Sequence, residues 1–170
     1  MKTLIKNGLV VDPANLVQTH LNLLLEDGKI VAVTEEEPEA DRVIDAAGKV
    51  VAPGFIDIHM HEDPVKDDKI QFCIFDAMLR MGVTTAVGGN CGINVYDPVK
   101  YLDLLERDGA PVNVMMFAGH QYYREAAGAL DKYSPVTEEQ RKMMKKGLEE
   151  ALEAGCVGIS YGLRYVPGTG

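Results

Sequence analysis

The sequence has no tryptophan, few cysteines and no long apolar run. Its three cysteines, Cys73, Cys91 and Cys156, are odd in number and widely spaced, which excludes a disulfide framework and favours a reducing compartment such as the cytoplasm. The longest apolar runs, residues 21–25 and 112–118, are too short to span a bilayer. No basic stretch followed by an apolar one opens the chain, so we expect no signal peptide and a cytoplasmic location.

Basic residues are scarce as well, with 17 Lys and Arg against 26 Asp and Glu and a formal net charge of -9. An acidic surface repels phosphate backbones and anionic headgroups, so we expect neither nucleic acid nor membrane as a partner. Hydrophobic residues make up 46% of the 170 residues. That content suits one compact domain, or a small domain joined to part of a larger one.

Residues 1–49 are predicted to form a small β domain. Short runs rich in Val, Ile and Leu occupy residues 3–11, 21–25 and 29–33. Asp27-Gly28 lies between the last two runs and predicts a tight hairpin. We expect a small antiparallel unit that is too small to fold on its own.

Residues 50–170 alternate between strand and helix patterns. Strands are predicted at 50–59, 83–87, 112–118 and 156–160, and helices at 70–81, at 98–107 and after a capping box at Thr137–Gln140. This alternation implies parallel strands with right-handed crossovers. Four strands and three helices fit half of a (β/α)₈ barrel or a doubly wound sheet, and the alternation alone does not decide between them.

Two histidines end the first predicted strand, in the segment Gly54–Asp63. Side chains two positions apart on a strand point to the same face, so His59 and His61 are expected to project together. The carboxyl end of a strand is where barrel enzymes place their catalytic groups. The pair is therefore interpreted as half of a metal site, the alternative being two surface histidines at a loop start.

A glycine-rich loop with a cysteine, Gly88–Gly92, follows the second predicted strand. The Cys91 thiolate is a candidate zinc ligand beside the two histidines, and a buried structural thiol is the alternative. Cys73 and Cys156 are expected in the core.

Polar and aromatic residues follow the third and fourth predicted strands. His120 is a candidate to contact substrate or a metal-bound water, or else it caps its strand by hydrogen bonding. Ser160, Tyr161, Arg164 and Tyr165 are candidates to line a substrate pocket, with Arg164 suited to bind a carboxylate.

These segments together resemble the amidohydrolase superfamily, and more narrowly its D-aminoacylase (N-acyl-D-amino-acid deacylase) branch. The resemblance is carried by Pro53–Asp63, by Gly82-Val83-Thr84-Thr85 running into Gly89-Asn90-Cys91-Gly92, by Gly119-His120 and by Gly158–Gly168. It implies a small β-sandwich at residues 1–49 and the first four β/α units of a (β/α)₈ barrel at residues 50–170.

The resemblance also implies a cofactor and a reaction. Cys91 would be a ligand of a tightly bound zinc, and His59 and His61 would hold a second, weakly occupied metal. The activity implied is hydrolysis of N-acyl-D-amino acids to a carboxylate and a D-amino acid by metal-activated water. The general-base aspartate and two further zinc histidines are expected beyond residue 170. We therefore expect the 170-residue chain alone to be inactive, and to need the rest of the barrel, a partner chain or self-association.

Three other functions compete with this interpretation. One is another amidohydrolase for cyclic amides, of the dihydroorotase or hydantoinase kind, with Cys91 merely structural. A second is a non-catalytic metal-binding module derived from such a hydrolase. A doubly wound nucleotide binder is disfavoured, because no G-x-G-x-x-G or Walker pattern follows any predicted strand.

Overall fold

The structure is a computed structural model that describes residues 1–131 and 134–164. The chain divides into two compact units, Met1–Pro53 (unit 1) and Gly54–Gly170 (unit 2). The sequence pattern places this boundary slightly earlier, after residue 49. No helix among the described residues is long and apolar enough to cross a bilayer.

Unit 1 is built on one five-stranded sheet. Its strands are β1 (Lys2–Asp12), β2 (Val17–Glu26), β3 (Lys29–Thr34), β4 (Arg42–Asp45) and β5 (Val50–Val51). The order is β3-β2-β1-β4, and β5 pairs with β1 as well. The predicted hairpin is present between β2 and β3, where Asp27 and Gly28 both adopt positive φ, as a tight primed turn requires.

The expected antiparallel unit is wrong in one respect, because β4 and β5 both pair with β1 in parallel. The chain leaves β3 and returns to the start of β1, where the Lys2 backbone N–H donates to the Asp41 carboxylate at 2.7 Å. This pairing joins residues about forty positions apart, so no local turn signal announces it. Unit 1 shows a single sheet, and the β-sandwich stays a prediction.

Unit 2 contains the predicted alternation of strands and helices. Its elements are β6 (Phe55–Asp57), β7 (Val65–Lys66), β8 (Lys69–Ile70), α1 (Ile74–Arg80), β9 (Val83–Gly88), α2 (Pro98–Asp108), β10 (Asn113–Gly119), α3 (His120–Ala126), α4 (Glu138–Glu153) and β11 (Gly158–Ser160). The main sheet has the order β11-β10-β9-β6, and every pair in it is parallel. This sheet corresponds to four consecutive strands of a half-barrel.

The longer helices begin where the sequence provides caps. Asp97 accepts hydrogen bonds from the Val99 and Lys100 backbone N–H groups, and Pro98 occupies the first turn of α2. The capping box at α4 is confirmed: the Thr137 hydroxyl accepts from Gln140 N, and the Gln140 side chain accepts from Thr137 N.

Two local predictions are corrected by the structure, and one helix was not predicted. The strand predicted over 50–59 is split, because β5 belongs to unit 1 and β6 ends at Asp57. The helix predicted from residue 70 begins only at Ile74, since the β7–β8 hairpin occupies the preceding residues. Helix α3 was not predicted at all.

The core of unit 2 lies between the parallel sheet and its helices. Its most buried members include Phe75, Ala86, Tyr101 and Met116. Cys156 belongs to this core as predicted. Cys73 does not: it is exposed, and its thiol hydrogen-bonds to the Asp63 carboxylate instead.

Candidate metal centre

The carboxyl ends of the parallel strands of unit 2 bring three predicted ligands together. His59 and His61 lie just beyond β6, in a segment still tied to the sheet by a hydrogen bond from Met60 N to Val87 O. Cys91 lies in a 3₁₀ turn, Asn90–Gly92, directly after β9. Parallel neighbours end at the same edge, so residues about thirty positions apart in sequence become adjacent.

The three side chains form a compact donor set. One nitrogen of each imidazole and the Cys91 sulfur all lie within 4.8 Å of one another. The His59 Nε2 to Cys91 Sγ distance is 3.3 Å. Two such donors on one tetrahedral zinc are about 3.6 Å apart, so the observed spacing is that of side chains close enough to bind metal at one centre. Among the described residues no other group of three His, Cys, Asp or Glu side chains converges in this way.

The turn that carries Cys91 has an unusual backbone. Cys91 adopts φ 59° and ψ 17°, in the left-handed region that residues with a Cβ seldom occupy. The buried Asn90 amide fixes the start of the turn by donating to Val87 O at 2.7 Å and to Met60 O at 3.4 Å. One side chain thus ties the cysteine turn to the histidine segment.

A buried acid lies next to the histidines, and the sequence pattern did not indicate it. Glu62 is 3% exposed, and burial raises the pKa of its carboxyl. Its Oε1 accepts from Asn94 Nδ2 at 2.8 Å, and the Asn94 Oδ1 accepts from Gly119 N at 2.7 Å. The chain segments after β6, β9 and β10 are therefore joined by one polar network. The other carboxyl oxygen, Oε2, has no hydrogen-bond partner in the described part of the chain.

A second buried acid, Asp63, has a structural role. Its carboxylate accepts from Ile74 N at 2.8 Å and from Phe75 N at 3.0 Å, and so caps helix α1. Its own carbonyl accepts from the Tyr101 hydroxyl at 3.0 Å. Because the cap comes from eleven residues upstream, no local motif could have indicated it.

Ser160, a predicted substrate contact, is engaged with the cysteine turn. Its hydroxyl accepts from Gly92 N at 2.9 Å and donates to the Gly89 carbonyl. His120 and Tyr161 have ring centroids 5.2 Å apart. They border a cavity of about 420 Å³ that is otherwise lined mainly by residues of α4.

His120 is half-buried, and its Nδ1 has no partner among the residues that are described. Burial, and secondarily the Arg124 charge, lowers the pKa of its imidazole. Arg164 is exposed in a turn after β11, and Tyr165 lies outside the described residues.

Comparison with known proteins finds a family whose members resemble this chain. The model described as "Amidohydrolase family" matches residues 42–162. The chain is 33% identical to the N-acyl-D-glutamate deacylase and 31% identical to the D-aminoacylase of Alcaligenes xylosoxydans xylosoxydans, each over 96% of this chain and 38% of the relative.

A solved structure agrees with these sequence matches. It is the N-acyl-D-glutamate deacylase of Bordetella bronchiseptica, in complex with zinc and a phosphonate inhibitor. The likeness has a TM-score of 0.83 at 31% identity, over 98% of this chain and 39% of that one. The chain thus spans about two fifths of the length of these three relatives.

Proposed function

This chain belongs to the amidohydrolase family, and we propose that it supplies the first metal ligands of a zinc-dependent hydrolase that cleaves N-acyl-D-amino acids. The products would be a carboxylate and a D-amino acid. The observation that carries the proposal is the convergence of His59, His61 and Cys91 within 4.8 Å at the carboxyl edge of a parallel sheet. Relatives with N-acyl-D-amino-acid deacylase names support the substrate class.

The donor set suits zinc because it combines a thiolate with two imidazoles. We infer that Cys91 holds a tightly bound zinc, and that His59 and His61 hold a second, weakly occupied ion. When bound, zinc supplies a Lewis acid that activates water and polarises the amide carbonyl. The protein's own contribution is to hold the ligands: the Asp57 carboxylate accepts from His59 N at 2.9 Å, and Asn90 fixes the turn before Cys91.

Substrate contacts are proposed for the residues that follow β10 and β11. Arg164 is exposed after β11 and carries the charge needed to bind the carboxylate of an N-acyl amino acid. We propose that the rings of His120 and Tyr161, which lie side by side, pack against an acyl or side-chain group. Tyr165 is retained as a sequence-based candidate. We assign no general base to the described residues.

The ligand assignment is tested by replacing Cys91 in the intact protein. For Cys91→Ala we expect tight zinc to be lost, with affinity falling by more than about 100-fold, because removing a ligand exceeds the 10- to 100-fold cost of losing a supporting group. Zinc content by elemental analysis and affinity by chelator competition measure this. Cys73→Ala removes an exposed thiol outside the cluster and is the matched control.

The same variant separates the two enzyme classes under consideration. Retention of tight zinc in Cys91→Ala would make Cys91 structural and would favour a cyclic-amide hydrolase of the dihydroorotase kind. Turnover of a panel of acetylated D- and L-amino acids by the intact protein then tests the substrate. Hydrolysis of dihydroorotate or a hydantoin, without deacylation of any acetylated D-amino acid, contradicts the proposed reaction.

A further inference from the structure

The backbone of Cys91 requires support from outside its own turn. A residue with a Cβ in the left-handed region is strained, and such a conformation persists only when its surroundings fix it. Cys91 has a φ of 59°. If the turn relaxed, its sulfur would leave the position 3.3 Å from His59 Nε2.

That support comes from the last residue of β11. The Ser160 hydroxyl accepts from Gly92 N at 2.9 Å and donates to the Gly89 carbonyl. These two backbone groups flank Asn90-Cys91 on either side, so one hydroxyl holds both ends of the turn. A serine has a single O–H donor, and here it is used by Gly89, which leaves none to offer a substrate.

Close packing leaves the turn little room to move in other directions. A Cβ on Gly119 would lie 2.6 Å from both the carbonyl carbon and the oxygen of Gly92. A Cβ on Gly92 itself would lie 2.8 Å from Gly162 N. The turn is thus packed against the ends of β10 and β11. Ser160 adds hydrogen bonds to this packing.

We propose that Ser160 is a positioning residue of the metal centre: by holding both ends of the Gly89–Gly92 turn, it directs the Cys91 sulfur toward His59 and His61. This role replaces the sequence-based interpretation of Ser160 as a substrate contact. It rests on the proposed function, in which Cys91 is a metal ligand.

An isosteric pair of variants in the intact protein isolates the hydroxyl. Ser160→Thr keeps the hydroxyl and Ser160→Val removes it at nearly equal volume, so both share any steric effect of the added methyl group. Ser160→Ala gives the simple deletion. Thr137→Ala is the control: it removes a hydroxyl that caps α4 in the same unit and lowers stability, without touching the cysteine turn.

Two readouts report on the sulfur without requiring activity. Chelator competition gives the zinc affinity, and Co²⁺ substitution gives the intensity of the thiolate-to-cobalt charge-transfer band per bound ion. We expect Ser160→Val and Ser160→Ala to bind zinc about 10- to 100-fold more weakly, as for loss of a supporting group, and to show a weakened band. Ser160→Thr and Thr137→Ala should stay within about threefold of wild type in affinity, well below the 10-fold lower limit for loss of a supporting group.

The outcomes distinguish this inference from the proposed function. A wild-type protein whose cobalt complex has no band dependent on Cys91 refutes the metal centre itself. A wild-type band that is equally strong in Ser160→Val, with equal zinc affinity, refutes the role of Ser160 and leaves the metal centre intact. Equal weakening in the Thr and Val variants, or in Thr137→Ala, would attribute the effect to packing or general stability and would also overturn the inference.

Discussion

The two units of the chain bury different kinds of side chain. In unit 1 the buried residues are apolar except for Asn22, whose amide is satisfied by Asn7 N and by the carbonyls of Glu35 and Glu36. Unit 2 buries Glu62, Asp63, Asn90 and Arg124 beyond the ends of its strands. Of these, Glu62 and Arg124 each keep a polar atom without a partner in the described part of the chain.

This difference indicates what each unit is built for. Buried polar groups cost free energy unless they are fully hydrogen-bonded, so a buried Glu62 with an oxygen unpartnered among the described residues, at the carboxyl edge of the sheet, reflects a demand other than stability. That edge is where the metal ligands converge. The buried residues of unit 1 form an apolar core, whereas the polar residues at the edge of unit 2 hold side chains in fixed directions. Three paired substitutions test this contrast, each with one partner in each unit.

The largest difference in the free energy of unfolding is expected between substitutions at two glycines of positive φ. Gly89 has φ 71°, and an added Cβ would overlap the Phe117 carbonyl oxygen. Gly28 has φ 78°, with nothing within 4 Å of the added atom. We expect Gly89→Ala to lower the free energy of unfolding by more than about 3 kcal/mol, because backbone strain and steric overlap add. Gly28→Ala should lower it by only about 1–2 kcal/mol, from backbone strain alone.

Urea unfolding followed by far-ultraviolet circular dichroism measures both glycine variants, because the chain has no tryptophan for fluorescence. Equal losses in the two variants would mean that the Gly89 turn can move away from β10. The rigidity assigned to the cysteine turn would then be wrong.

The next contrast is between two aspartates that cap the start of a helical segment. Asp63 is fully buried and accepts from Ile74 N and Phe75 N, whereas Asp12, which is only half-buried, accepts from Ala14 N. Hydrogen bonds to charged groups contribute about 1.5–3 kcal/mol each to the free energy of unfolding, so Asp63→Ala, which removes two of them, should lower it by at least about 3 kcal/mol. Asp12→Ala should cost far less, since water replaces its oxygen.

The same unfolding assay applies to the aspartate variants, and Asp63→Asn adds a second measurement. The amide retains one acceptor, so this variant should fall between wild type and Asp63→Ala. A loss from Asp12→Ala as large as that from Asp63→Ala would remove burial as the cause of the contrast.

The smallest effect is a pH dependence of stability. Burial lowers the pKa of His120 from its ordinary value of 6.5, so the folded state binds fewer protons than the unfolded state as pH falls through that range. Its contribution to stability is present above the unfolded pKa and is lost as pH decreases. We expect the urea midpoint to drop less between about pH 7.5 and 5.5 in His120→Gln than in wild type.

His20→Gln replaces an exposed imidazole on β2 and is the matched control for this pH series. It should preserve the wild-type change in midpoint. A wild-type change that persists in His120→Gln would assign the titration to another group.

The sequence predicted those parts of unit 2 whose signals are local. The α4 capping box and the strand preceding Cys91 follow from residues within a few positions of one another. The two-residue spacing of His59 and His61, together with a cysteine after the neighbouring strand, was enough to predict that the three side chains lie together. That cluster forms even though β6 ends before either histidine.

What the sequence did not reveal depends on long-range contacts. Helix α3 has no side-chain cap and is supported by burial of Tyr123 and Arg124. The parallel pairing of β4 with β1 has no hairpin signal. Asn94 is an ordinary loop residue in the sequence, and only the fold places its amide between Glu62 and Gly119.

The left-handed conformation of Cys91 also limits which residues evolution or a protein engineer can place there. Valine, isoleucine and threonine are excluded by their backbone preference, before any question of coordination arises. Asparagine and aspartate are the side chains that enter this region most readily. A saturation library at position 91 should therefore retain folded protein chiefly for glycine and small polar residues. Aspartate would be the replacement that keeps both the chain path and an anionic donor.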